Sequence, residues 1–157
     1  PNGDIVLPRA STRVEHEAEI GIVIGRRLHH ASRSEAIDAI FGITCVNDVT
    51  ARDLMRLDPA FVQWTRAKGF DSFGVFGPVI ATGLDPAGLR VRAVVAGEQK
   101  QDYAVADMFF SPHEIVSHLS QDMTLEAGDV IAFLASARAS YLTGVAINID
   151  GGTSAVV

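Results

Sequence analysis

The segment VEHEAEIGIVIG, Val14 to Gly25, carries glutamates at positions 15, 17 and 19 directly before an apolar run. In an extended strand, residues two apart point to the same side and sit roughly 6.5–7 Å apart at Cα, so Glu17 and Glu19 share a face and can converge on one ion. Leaving both ionised beside a core without a cation is costly, because desolvation and like-charge repulsion act together. A third acid on a neighbouring strand would complete a facial set of oxygen donors, and Asp48, in VNDVTARD, is the best candidate. Three oxygen donors with open positions for water or substrate suit magnesium or manganese better than zinc, which favours nitrogen and sulfur. The competing reading is a solvated strand face whose charges discourage edge pairing. The E-x-E spacing by itself supports both.

These side chains need elements to hold them. The pattern from residue 17 to 24 predicts a strand entering a core. Ser32 and Glu35 form a capping-box pattern ahead of Ala36, Ile37, Ile40 and Phe41, whose spacing predicts a short amphipathic helix. GITCVNDVT reads as a strand, and ARDLMRLD as a turn or two of helix ending by Asp58, the residue before Pro59. FGPVIATG predicts a second buried strand, closed by the DPAG turn at 85–88. Residues 89–96 and 100–105 flank Gly97 and Glu98 as a hairpin. Ser111, Pro112 and Glu114 predict a second helix start, with Ile115, Val116 and Leu119 on one face. EAGDVIAFL reads as turn then strand, and VAINID, GG and TSAVV as a closing hairpin. Strands outnumber helices and most connections are hairpin-like, which favours an α+β fold over a doubly wound sheet.

With 157 residues the chain suits one domain with a real core. A net charge of −6 argues against a general binder of phosphate backbones, so nucleic acid is not an expected partner. No apolar run approaches the roughly 20 residues of a membrane span, and no membrane partner is expected. The single cysteine, Cys45, precludes an internal disulfide and suits a reducing, cytoplasmic setting, where it is expected as a small buried hydrophobe. His16, His29, His30, His113 and His118 read as surface or packing residues.

EHEAEIGIVIGRR, CVNDVTARD, RAKGFDSFGVFGPVI and MTLEAGDVIA, in that order, resemble successive motifs of the fumarylacetoacetate hydrolase family over about residues 1–132. Within the family the chain is most similar to the bacterial members labelled fumarylacetoacetate hydrolases or 2-hydroxyhepta-2,4-diene-1,7-dioate isomerases. The resemblance implies a mixed β-roll, barrel-like version of the α+β class and a homodimer. It also implies that Glu17, Glu19 and Asp48 hold Mg2+ (or Mn2+). Lys68, in AKGFD, matches the family's active-site lysine close to substrate oxygens, and Arg52 matches the arginine of the RD motif near the same pocket. The bland alternative for Lys68 is a surface lysine. Trp64 and Phe70 are expected to pack around Lys68, and Glu15, with no ligand role, to be ordinary solvated surface. The implied chemistry is C–C hydrolysis, tautomerisation or decarboxylation of a small 2-oxo or dioxo carboxylic acid, as in aromatic-compound catabolism.

The chain departs from the family pattern at three places. Family hydrolases bear an upstream lid with a histidine and a glutamate that activate water, and these are expected ahead of Pro1. Met55 stands where a glutamine often follows the RD motif. Residues 133–157 are similar to the C-terminal segment of short-chain dehydrogenases, with TG and N-x-DGG. No glycine-rich dinucleotide loop and no Tyr-x-x-x-Lys pair accompany that tail, so NAD chemistry is not supported. The expected organisation is a catalytic domain at 1–132 and a recombined tail at 133–157 packed as closing strands of the same domain. A second reading of the whole is a rearranged, non-catalytic remnant that binds a metal ion or a partner chain.

Overall fold

The computed structural model describes residues 3–133; the tail from residue 134, including the expected closing hairpin, lies outside the described residues. Strand β1 (Val14–Glu15) leads into β2 (Ala18–Ile24), helix α1 (Arg33–Ala39) and β3 (Ile40–Asp48). The short β4 (Thr50–Ala51) is followed by α2 (Arg52–Met55), α3 (Trp64–Lys68) and β5 (Gly74–Phe76). Next come the hairpin strands β6 (Arg90–Val95) and β7 (Glu98–Ala104), then α4 (Pro112–Asp122) and β8 (Val130–Phe133). The main sheet is antiparallel with order β5-β3-β2-β8 and curls into a half-barrel, the α+β roll expected from the sequence.

Period-two alternation sends the two faces of this sheet to different partners. Ile20, Ile22 and Ile24 of β2, with Ile43 and Ile131, meet Ala36, Ala39, Ile115 and Val116 of the two helices in the main core. Val23 faces the other way, with Val46, Val130 and Ala132. Gly21 lies on that second face, where an added Cβ would stand 2.7 Å from Val46 Cγ2 and 2.9 Å from Thr44 Cγ2. A side chain there would force the buried Val46 and Thr44 side chains to shift. Glu19 continues the same alternation toward the start of β2, as Asp48 does at the end of β3.

Both expected capping boxes form. Ser32 accepts from Glu35 N–H while the Glu35 carboxylate accepts from Ser32 N–H, and Ser111 and Glu114 repeat the arrangement. The hairpin turns at Ala96 and Gly97, one residue earlier than expected, with φ of 51° and 82°. Positive φ at both central residues gives a twist that matches the strands.

Three local expectations fail. The first helix stops at Ala39, and Ile40 and Phe41 belong to β3, because Ile40 pairs with Ile24 and continues a β-branched run. Of FGPVIATG only Phe76 lies in a strand, the end of β5; beyond it the chain turns outward, leaving Val79 and Ile80 exposed, with one bridge returning Ala81 to Ile43. Cys45 is exposed rather than buried. It pairs with Ile20 and shares the face of Ile43, but the main core ends before it: Cys45 is not among the residues that pack there.

Candidate metal and substrate site

The strand is interrupted at His16 and Glu17, between β1 and β2, and Glu17 is fixed through both its N–H and its carbonyl. Glu17 N–H donates to Asn47 Oδ1 at 3.1 Å, and Asp48 N–H donates to the Glu17 carbonyl at 2.9 Å. Glu17 is thereby held beside Asp48, while the register Glu19↔Val46 brings the third acid to the same end of the sheet. Carboxylate oxygens of Glu17, Glu19 and Asp48 all lie within 4.8 Å of one another, and Glu19 and Asp48 are buried.

Lys68 enters from α3. Its helix is secured against α2, with Gln63 N–H donating to the Met55 carbonyl at 2.9 Å, and Ala67 is fully buried. Val49, Ala51, Leu54 and Phe73, joined by Phe70, form a small core behind it. The Lys68 side chain is only 8% exposed. Its Nζ donates to Glu17 Oε2 at 3.0 Å, to Thr50 Oγ1 at 2.9 Å and to Asp48 Oδ2. The Trp64 ring lies 5.7 Å from the ammonium, as a cation–π neighbour, whereas Phe70 packs on Phe73. Arg52 stands at the rim: Nε is 3.3 Å from Glu15 Oε2 and Nη1 is 3.6 Å from Glu17 Oε1. Glu15 is therefore half-buried and ion-paired, rather than the plain solvated residue expected, because β1 pairs with β4 and sets it beside the start of α2.

The charges do not balance. Three carboxylates share one buried ammonium, and the ion pairs of Lys68 and Arg52 reach Glu17 and Asp48 but not Glu19. Burial, then the charges of Asp48 and Glu17, push the Glu19 pKa up to about 8 despite Lys68 nearby. Burial also raises Asp48, against the opposing hydrogen bond and charge of Lys68. Burial alone would depress Lys68, but the hydrogen bonds and charges of Asp48 and Glu17 outweigh it and keep the ammonium protonated. A site that holds a proton on one acid for want of positive charge has room for a further cation, and three carboxylate oxygens are the donors that a hard divalent ion prefers.

The structure thus brings together all five residues singled out in the sequence: Glu17, Glu19, Asp48, Arg52 and Lys68. Sequence reasoning missed Thr50, Asn47 and Gln101. Thr50 is fully buried and accepts from Lys68; it lies two residues after Asp48, and that spacing was the available signal. Met55 is buried against Arg52, its sulfur 3.9 Å from Nη1. Asp53 turns away from the site and accepts from Ser11 Oγ, Thr12 N–H and Thr12 Oγ1, tying the N-terminal strap to α2.

The described residues form a curled α+β half-barrel with an acid triad and a lysine at one end of its sheet. The chain belongs to the fumarylacetoacetate hydrolase family, whose C-terminal domain model, "Fumarylacetoacetate (FAA) hydrolase C-terminal", matches residues 1–133. It is similar to the structure of a 5-carboxymethyl-2-hydroxymuconate delta-isomerase from Mycobacterium smegmatis, with 41% identity and a TM-score of 0.80 over 84% of this chain and 51% of that one. A 2-hydroxyhepta-2,4-diene-1,7-dioate isomerase from Mycobacterium marinum matches with 43% identity and a TM-score of 0.74 over 78% of this chain and 47% of that one. The oxaloacetate tautomerase YisK of Bacillus subtilis is 38% identical over 83% of this chain and 44% of its own length. The chain spans about half the length of the curated relatives it matches. No helix among the described residues is long and apolar enough to cross a membrane.

Proposed function

We propose that the chain carries the catalytic carboxylates and lysine of a divalent-cation-dependent isomerase or hydrolase acting on a small 2-oxo or dioxo carboxylic acid, by tautomerisation, decarboxylation or C–C cleavage. The observation that supports this most is the convergence of Glu17, Glu19 and Asp48 within 4.8 Å, with Lys68 hydrogen-bonded among them. Glu17, Glu19 and Asp48 would hold Mg2+ or Mn2+. When bound, the ion supplies Lewis-acid polarisation of a 2-oxo carbonyl and charge stabilisation for the enolate.

The remaining work falls to the protein. Lys68 is kept charged and nearly dry, so its hydrogen bond to an oxygen gaining negative charge is worth more than the same bond in water. Thr50 and Asp48 fix the ammonium's direction before substrate arrives, which removes a reorganisation cost from the reaction. Arg52, anchored by Glu15, presents a planar guanidinium at the rim suited to a substrate carboxylate. Trp64 offers its ring to the ammonium as a cation–π neighbour at 5.7 Å. The names of the relatives, a tautomerase and two isomerases of 2-oxo or dienol acids, favour proton transfer over bond cleavage for this reading. A homodimer belongs to the same proposal and is checked by light scattering.

The test is turnover of oxaloacetate enol and of an acylpyruvate, followed by loss of enol absorbance, with Mg2+ or Mn2+ and again with chelator. Cation-dependent turnover that disappears in Glu17→Gln supports the reading. Cation binding without turnover of either compound would point instead to a binding module.

A further inference from the structure

The backbone between the two glutamates has a partner far away in sequence. Strand β8, as far as Phe133, pairs with β2 only from Ile20 onward, so among the described residues no strand takes up the outward N–H and C=O of Ala18. Gln101 of the β6–β7 hairpin takes their place. Its Oε1 accepts from Ala18 N–H at 2.9 Å, and its Nε2 stands 3.5 Å from the Ala18 carbonyl, a weaker second contact. A primary amide offers the same donor–acceptor pair as a peptide group and can hold a strand's backbone in the same way.

The hairpin is shaped to present this side chain. Its register passes from Val94↔Gln99 to Ala93↔Gln101, leaving Lys100 as an extra, unpaired residue. Such a bulge bends the strand and re-aims the side chains beside it. Two residues on, Tyr103 packs against the main core and anchors β7. Gln101 therefore reaches Ala18 from a fixed base.

We propose that Gln101 is a positioning residue for the cation site: by holding the Ala18 peptide it sets the spacing between the Glu17 and Glu19 carboxylates. The proposal rests on the metal reading above. Asn47 holds Glu17 N–H, Gln101 holds Ala18 N–H, and the backbone on either side of Ala18 carries one carboxylate each. Freed from Gln101, this stretch loses the constraint on the side of Glu17 opposite Asn47, and the two carboxylates no longer start from one geometry. Residues that orient metal ligands typically contribute ten- to a hundredfold in affinity.

The experiment is calorimetric titration of the full chain with Mn2+ alone. Gln101→Met keeps the length and apolar stem but has no amide; its expected Kd is about tenfold weaker. Gln101→Asn, one methylene shorter, should weaken binding comparably and serves if the methionine variant misfolds. Gln101→Glu keeps the acceptor for Ala18 N–H and should recover the affinity to within about twofold of wild type or better. Gln99→Met, at an exposed site of the same hairpin, should bind as wild type. Wild-type binding matched by Gln101→Met, or equal weakening in Gln99→Met, would overturn this proposal alone. A wild type that does not bind Mn2+ would overturn the metal reading and this proposal with it.

Discussion

Glu19 makes the charge imbalance measurable. In the metal-free protein its pKa stands near 8, against 4.5 for an ordinary glutamate, chiefly because it is buried beside Asp48. Between those values the unfolded chain has released a proton that the folded chain still binds, so folding stability falls as pH rises. The contribution is fully present below 4.5 and lost by about 8. That interval of roughly 3.5 pH units, at about 1.4 kcal/mol each, corresponds to on the order of 5 kcal/mol, of which on the order of 3 is lost by pH 7. Glu19→Gln keeps the shape and removes the titration. Urea unfolding of both proteins in chelator at pH 5 and pH 8 should show wild type losing several kcal/mol relative to the variant between the two pH values. Excess Mg2+ should reverse the order at pH 8, since the ion stabilises the charged carboxylate and the variant has one ligand fewer. If the gap between wild type and Glu19→Gln is the same at both pH values in chelator, the argument that burial and like charge hold a proton here is wrong.

Further outcomes are expected. Lys68→Met should destabilise the metal-free fold by about 3–5 kcal/mol, since it strips the buried ammonium from Glu17 and Asp48, and should lower kcat by about 10²–10³ on any substrate turned over; urea unfolding and enol-loss kinetics read the two effects. Gly21→Ala should cost about 1–3 kcal/mol, because its methyl would overlap Val46 and Thr44, seen as a lower thermal midpoint. Asp53→Ala should free the strap held through Ser11 and Thr12, giving faster limited proteolysis ahead of β1 with the cation affinity retained. Those hydrogen bonds hold the Asp53 carboxyl well below the usual carboxylate range, so wild-type protection of the strap should persist into mildly acidic solution.

The acid pair was legible because strand alternation is a local rule: extending the strand marked by Ile20 to Ile24 back to Glu17 puts Glu17 and Glu19 on one side, and bonds to Asn47 and Asp48 hold Glu17 there although it lies just ahead of β2. Asp48 followed from the next β-branched run, and the capping boxes from four-residue motifs. Lys68 and Arg52 were legible only through resemblance to a family, since nothing in their spacing requires α3 to fold back onto the sheet. The Glu15–Arg52 pair depends on β1 lying against β4, and the Gln101–Ala18 contact spans 83 residues and depends on a bulge. Long-range register of that kind is not written in any window of the chain. Ile40 and Phe41 were misread because positions 36, 37, 40 and 41 satisfy helical spacing while the β-branched run after Ala39 satisfies a strand, and pairing with Ile24 decided it. Cys45 was misread because residue type and alternation both suit a core position beside Ile43, whereas the helices that cover this face do not reach it.

The central claim is that Glu17, Glu19 and Asp48 form one cation site. Anomalous diffraction from crystals grown with Mn2+ tests it directly. The account predicts a single strong peak bounded by the carboxylates of Glu17, Glu19 and Asp48. A peak elsewhere, or none among these three residues at saturating Mn2+, would contradict it.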